Sequence, residues 1–308
     1  MAVKLTIQIV GWNSADVLPE TLAALSTIPR DEAYIRYIDN GSKDISVRLV
    51  QEKLPQAEVI KLTGNKGFSG AHNIGLTSCV TPYVLTCDPD LVLNWDGVKK
   101  LLSVFDDPEV GAAQGKLYRA KGKIIDSVGI VQTLTLNGKE RGGNEEDEDQ
   151  FVEEAPLLAV TGACGLYRVE ALKEVAHSKT EFFDEDFFAY KEDIDLGWRL
   201  NKAGWKVVYR PVLMGRHKRT LGRRGVLGWG LSLGVVYRRL KSSRTRLSLR
   251  NWVWMIVKNA SLKQELAHEI FIDLRLATFI LFSLVYWPLF SVWLEILRGL
   301  PRMWDKRI

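Results

Sequence analysis

Cys87-Asp88-Pro89-Asp90 sets two carboxylates two residues apart, directly after the apolar run Tyr83–Cys87. Carboxylates at the end of a buried strand are costly to desolvate unless a positive charge meets them. Two such groups, spaced by a proline, can share a divalent cation. Hard oxygen ligands suit Mg2+ or Mn2+, which would also take phosphate oxygens. A plain reading stands beside this one: a simple turn, or an N-cap for a helix at Asn94.

Four other stretches carry the same double reading. Asp39-Asn40-Gly41-Ser42 is a good turn with a helix cap, yet the Asp39 carboxylate could accept the ring N–H of a pyrimidine base. "GNKGFSG", residues 64–70, is a glycine turn before a helix, or a loop whose backbone amides and Lys66 approach a diphosphate at a helix N-terminus. Glu192, Asp193 and Asp195 are an acidic first helical turn favoured by the dipole, or a source of a general base aimed into a pocket. His217 is a basic-loop residue or a metal ligand.

The elements that must position these residues are legible from periodicity. "KLTIQIV", "AYIRYID", "AEVIKL" and "YVLTC" read as strands. Helices are expected over Asp16–Ser26, with Ser14 as its cap, over "ISVRLVQEKL", "AHNIGLTSC" and "WDGVKKLLSVF", over 169–176, and from Lys191 to Gly204. Alternating β and α units at this pitch imply an α/β fold, a mostly parallel sheet with helices on both faces. Ligands of such sheets bind at the C-terminal strand ends. Gly11-Trp12-Asn13, Asp39-Asn40-Gly41, Gly64-Asn65-Lys66 and Asp88-Pro89-Asp90 all fall there. Between 111 and 168 shorter strands are expected, with "ERGGNEEDEDQFVEE" as a mobile acidic loop and a tight turn at Gly162. "WKVVYRP" is a strand closed by Pro211.

The bulk numbers bound the class. The chain has 308 residues, 46% of them hydrophobic, which fits a globular domain with an appendage and excludes general disorder. Cys79, Cys87 and Cys164 have neither paired nor metal-like spacing, so a reducing compartment is expected. The first residues enter a strand pattern at once, and no signal peptide is expected. The net charge of +5 hides an asymmetry: residues 215–308 carry 18 Lys and Arg against 5 Asp and Glu. That excess points to an anionic partner. "GRHKRTLGRRGVLGWG", from Gly215, reads as a basic loop, and residues 235–259 mix arginines with tryptophans, as a membrane-surface helix does. Ala277–Leu294 is 18 residues without a charge, open to a membrane span, an interfacial hairpin or an apolar face buried against protein. Nucleic acid is disfavoured as the partner, because apolar residues interleave with the arginines.

Together, in their order and spacing, "IVGWNS", "YIDNGSKD", "GNKGFSGAHNIGL", "LTCDPDLVL", "VTGACGLYRVEALKEV", "FDEDFFAYKEDIDLGWRLNKAGWKVVYRP" and "MGRH" resemble the family 2 glycosyltransferases, over residues 5–217. Within that family the chain looks most like bacterial rhamnosyltransferases and related single-addition enzymes of cell-surface polysaccharide assembly. The resemblance implies a GT-A fold, a Rossmann-like, mixed, mainly parallel sheet flanked by helices, over residues 1–218. Residues 219–308 would form a basic, partly apolar helical extension for membrane association. It implies an inverting, metal-dependent transfer of one sugar, with rhamnose the candidate, from a dTDP- or UDP-sugar to a hydroxyl of a glycan or lipid-linked acceptor, at the cytoplasmic face of the cell membrane. Asp39 would bind the base. Asn13, Asn65 and Gly67 would line the nucleotide pocket, Asp88 would lie near the ribose and sugar, and Asp90 would hold the metal. Asp193 would be the base, with Glu192 and Asp195 in reserve, and His217 would complete the metal site. The chain departs from the pattern in Asp88, where many relatives carry Asn, in Gly11, and in a single histidine at 217. Two rivals remain: a nucleotidylyltransferase, although "GWNSAD" lacks its glycine-rich basic loop, and a non-catalytic membrane-bound nucleotide-binding module.

Overall fold

The computed structural model of the protein describes residues 4–219 and 242–307. These form two compact units, one of 4–131, 140–188 and 192–219, the other of 132–139, 189–191 and 242–307. The second unit is therefore discontinuous in sequence, where a single boundary after residue 218 was expected.

The first unit is built on β1 (Leu5–Gly11), β2 (Ala33–Asp39), β3 (Glu58–Lys61) and β4 (Tyr83–Cys87), with α1 (Leu18–Ser26), α2 (Ser46–Lys53) and α3 (Gly67–Thr77) between them. β1 lies between β2 and β4 and runs parallel to both. Both its faces are covered, which is why "LTIQIVG" is buried almost throughout. Then follow β5 (Leu91–Leu93), α4 (Trp95–Leu102), β6 (Val110–Arg119), β7 (Ile125–Ser127), β8 (Ile130–Gln132), β9 (Gly138–Glu140), β10 (Ala155–Pro156), β11 (Leu166–Arg168), α5 (Val169–Glu174), α6 (Glu192–Lys202) and β12 (Lys206–His217). The sheet runs β10-β12-β6-β11-β4-β1-β2-β3, with β5 on β12 and β7 on β6. β8 and β9 pair separately. β11 is antiparallel to both its neighbours, β4 and β6, and β12 is parallel to β6. Successive side chains of β4 feed two cores. Leu85 joins Leu5, Leu18 and Leu22 on one face, and Val84 joins Tyr167, Phe183 and Leu196 on the other.

Several expectations change at this level. Pro211 does not close β12: the ladder to β6 breaks register between Tyr209 and Leu213 and then resumes. A residue without an N–H is tolerated where the ladder is already interrupted. α3 starts at Gly67, four residues before the expected Ala71. The Ser14 hydroxyl accepts from the Trp12 amide at 3.1 Å, and it is the Ser14 carbonyl that meets the first turn of α1. The acidic loop is anchored, because Asp147 is buried against Lys116 Nζ at 2.5 Å and the Tyr118 hydroxyl.

The second unit contains α7 (Ser243–Asn259), α8 (Leu262–Val285) and α9 (Leu289–Asp305). α8 opens with a capping box between Ser261 and Gln264. The membrane-surface reading of 235–259 does not survive for α7. Trp252, Trp254 and Met255 are buried. Trp254 lies against Gly299 of α9, where a Cβ would come within 2.2 Å of its ring. Trp252 donates to the Thr135 carbonyl at 2.9 Å, with the Arg275 guanidinium 4.5 Å from its ring centre. Residues 235–241, and most of the basic loop expected from Gly215, lie outside the described residues. The uncharged stretch 277–294 is not one helix, since it breaks over Tyr286–Pro288. No helix among the described residues is long and apolar enough to cross a membrane.

Candidate active site

Because β1, β2 and β4 are parallel, Gly11, Asp39 and Cys87 end on one edge of the sheet. The turn after β4 is held from three sides. The Asp88 amide donates to the Ala163 carbonyl at 2.9 Å, the Thr21 hydroxyl to the Pro89 carbonyl at 2.8 Å, and the Lys218 amide to the Asp90 carbonyl at 3.1 Å. The Asn94 side chain caps α4 itself, accepting from Gly97 at 3.1 Å, so the aspartates are not needed as its cap. Beyond the turn, Leu91–Leu93 pairs antiparallel with Gly215–His217 at the end of β12. That pairing places His217 Nε2 3.1 Å from Asp90 Oδ1 and 3.6 Å from Asp88 Oδ2.

His217 Nδ1 faces Asp126 Oδ2 at 2.9 Å. Asp126 also pairs with Arg219 at 2.6 Å and Arg119 at 2.9 Å, and Arg219 reaches Glu140 at 3.2 Å. Burial pushes the Asp88 carboxyl up to about 6; Asp90 adds to the rise, and the His217 charge opposes it. Burial disfavours the His217 imidazolium, but hydrogen bonds to Asp126 and Asp90 outweigh it and push the ring up to about 10. Asp126 sits below the usual carboxylate range, because His217 and Arg219 outweigh the cost of burying it.

One ligand atom each from Asp88, Asp90 and His217 lies within 4.8 Å of the others. Two carboxylates and an imidazole, its other nitrogen fixed by Asp126, are a donor set that fits Mg2+ or Mn2+. His217 thus belongs to the cluster, and Asp126 and Glu140 are additions that sequence reading missed. Asp126 sits in the short strand "IDS", where nothing in the local pattern marks it.

The three acids of α6 separate. Asp193 is half-buried, and its Oδ2 accepts from the Gly162 amide at 3.1 Å. Gly162–Cys164 is a single helical turn. The same turn offers the Ala163 carbonyl to Asp88, so it ties Asp193 to the Asp88 loop. Glu192 is buried. Asp195 is fully buried and paired with Arg199 at 3.0 Å, while Arg199 also donates to the carbonyls of Val175 and Phe182. Asp195 is therefore committed to the core and is withdrawn as a reserve base.

The Asp39 carboxylate is buried at the end of β2 and accepts from the Ser42 amide at 3.2 Å. Asn40 joins the two donor-side loops. Its side chain donates to Asn65 Oδ1 and the Gly67 carbonyl, and accepts from the Lys66 amide at 2.7 Å. Spacing alone places Asn40 at the strand end beside Asp39 and does not reveal this bridge between the loops. At Gly41, φ is +80°, and a Cβ would lie 2.7 Å from the Gly64 backbone, so the loops touch main chain to main chain. Asn13 adopts φ +49° and accepts from the Lys43 amide at 2.8 Å. The start of α3 does not supply free amides for a diphosphate. Those of Phe68 and Ser69 point at the Phe188 carbonyl, and that of Gly67 at Asn65. Lys66 is exposed. Gly11 also has a local reason: a Cβ there would stand 2.1 Å from the Tyr37 hydroxyl.

The profile of glycosyl transferase family 2 matches residues 6–176, more than half of the chain. The chain belongs to glycosyl transferase family 2. The poly-beta-1,6-N-acetyl-D-glucosamine synthase of Staphylococcus aureus strain MSSA476 is 23% identical to this glycosyltransferase over 219 residues, covering 68% of this chain and 48% of that protein. The same enzyme of Staphylococcus epidermidis is 24% identical, covering 65% and 46%. The chain thus spans about half the length of these relatives. Among solved structures, GalNAc-T7 with UDP, GalNAc and Mn2+ superimposes with a TM-score of 0.61 at 15% identity, over 83% of this chain and 48% of that one. S. aureus TarS 1–349 gives 0.52 at 15%, over 86% and 69%. At that identity the likeness is one of fold, and it is the GT-A fold: a mixed, mainly parallel sheet flanked by helices, here followed by a C-terminal helical extension.

Proposed function

We propose that this family 2 glycosyltransferase moves one sugar, with inversion, from a nucleoside-diphosphate sugar to a hydroxyl of a glycan or lipid-linked acceptor in cell-envelope polysaccharide synthesis. The observation that carries the reading is the turn Gly162–Cys164, which ties Asp193 to the Asp88-Asp90-His217 cluster at the sheet edge. Asp193 takes the proton of the acceptor hydroxyl as its oxygen bonds to the anomeric carbon. The bond from that carbon to the phosphate oxygen breaks, and its electron pair leaves with the nucleoside diphosphate. Attack from the face opposite the leaving group inverts the centre. Asp88, Asp90 and His217 would hold Mg2+ or Mn2+, which when bound offsets the charge on the departing diphosphate. Asp39 receives the base, and Asn13, Asn65, Lys66 and Gly67 line the nucleotide side. A donor dTDP-rhamnose rests on the subfamily resemblance; a UDP-sugar is favoured by the solved relatives that bind UDP.

The test is a nucleotide-sugar hydrolysis and transfer panel, with and without Mn2+. Asp193→Asn is expected to lower turnover by about 10²–10⁴-fold, the usual weight of a general base, with donor affinity unchanged by calorimetry. Loss of donor binding in a folded variant would remove Asp193 from this role. Pyrophosphate release from a nucleoside triphosphate would instead identify a nucleotidylyltransferase.

A further inference from the structure

The C-terminal unit leaves a long apolar face uncovered. Leu262, Leu266, Ile270, Leu274, Leu281 and Leu284 of α8 are each at least 61% exposed. Their spacing of three, four and seven residues places them on one side of the helix. The opposite side is the one in use: His268 Nδ1 lies 2.9 Å from the Leu134 carbonyl, Arg275 donates to Thr135, and its guanidinium stacks over Trp252. At 24 residues the helix is about 36 Å long at the standard rise. A largely apolar face, interrupted by exposed Lys263 and Asp273, therefore runs nearly the whole length of an element that is already docked by its back.

We propose that this face of α8 lies in the plane of a lipid bilayer, seated in one leaflet carrying anionic headgroups. Three observations choose lipid over a second copy of the chain. The exposed positions form a broad band and not the narrow seam, repeating every seven residues, that a helix pair needs. Trp287, 76% exposed, stands at the turn after α8, and Trp304 is exposed near the end of α9; indoles at both sites suit the headgroup boundary. On α9, exposed Leu294 and Leu297 share a side with exposed Arg298 and Arg302, and with the acids Glu295 and Asp305, the mixed apolar and charged surface of an in-plane helix. Residues 242–307 carry 10 Lys and Arg against 5 Asp and Glu, an excess that lies outside α8, whose own charges are Lys263 and Arg275 against Glu265, Glu269 and Asp273. The break at Tyr286–Pro288 and the absence of a spanning helix among the described residues fit a segment that lies on the bilayer. This inference does not rest on the transfer reaction.

The experiment is flotation of the full chain with phosphatidylcholine vesicles, with and without phosphatidylglycerol, alongside light scattering of the lipid-free protein. Wild type is expected to float with the anionic vesicles, less so as salt rises. The triple variant Leu266→Asp, Ile270→Asp, Leu281→Asp should lose at least tenfold in vesicle binding while its far-UV spectrum and unfolding midpoint hold. The double variant Arg298→Gln, Arg302→Gln should weaken binding to anionic vesicles more than to neutral ones. A triple variant that floats as well as wild type overturns the proposal. So does a lipid-free dimer that the triple variant abolishes while neither protein floats; that result would assign the face to a second copy.

Discussion

Two clusters of the catalytic unit pass the same geometric test for a metal. In each, three ligand atoms lie within 4.8 Å: Asp88, Asp90 and His217 in one, and His177, Asp184 and Asp195 in the other. Their counter-charges separate them. In the first, the cation among the acids is an imidazole at a sheet edge, a group that can lose its proton and become a ligand. The second also has an imidazole, His177, 3.7 Å from Asp184, but there the fully buried Asp195 is held 3.0 Å from Arg199, a guanidinium that keeps its charge, and Asp184 spends an oxygen on the Asp186 amide. The first cluster can exchange its positive charge for a metal. The second has one of its acids closed in an ion pair in the core. Proximity of acids therefore says little about chemistry until the partner that balances them is known.

Replacing one charged group at each cluster should break the comparison at its strongest point. Arg199→Leu leaves Asp195 buried without its partner and is expected to cost about 3–5 kcal/mol in denaturant unfolding, with turnover per folded molecule retained. Asp90→Asn should do the reverse, lowering turnover by about 10²–10³-fold with little change in stability. If Arg199→Leu were stable and inactive, the two clusters would have been assigned the wrong way round. Mn2+ at about 100 times its Kd should stabilise the wild type by about 2.7 kcal/mol. Asp90→Asn should lose that increment and Asp184→Asn should keep it, and the opposite pattern would move the metal to the second cluster.

A further effect concerns protons. Without metal, the folded state raises His217 from its ordinary value near 6.5 to about 10. The bound proton then adds stability that is fully present below pH 6.5 and is lost as pH rises through 10. In EDTA, the stability difference between wild type and His217→Gln should be largest near pH 6 and vanish toward pH 10. A difference that grows with pH would mean that His217 is neutral in the folded protein.

The strands that end at Asp39 and Asp88 were legible because local alternation and apolar runs encode them: "AYIRYID" and "YVLTC" form over the residues that periodicity assigned. The end of β12 was not. Pro211 reads as a stop, and only pairing with β5 and β6 shows that the strand resumes and carries His217 to the site. The tryptophans of α7 misled for a similar reason. Composition matches a membrane-surface helix, but Gly299 of α9 opens space for Trp254, and the exposed apolar face falls to α8 instead.

By itself the sequence determined the family, the parallel β/α frame and the set of acids at the strand ends. Each of these is written in local spacing or in motifs of a few residues. The tertiary structure decided which acids can act. Asp126 meets His217 across 91 residues and Asp90 meets it across 127, while Asp195 is claimed by Arg199 only four residues away. Whether a carboxylate binds a metal, takes a proton or holds a core together depends on the charge packed against it. In a low-dielectric interior that neighbour outweighs anything the residue's own segment contributes.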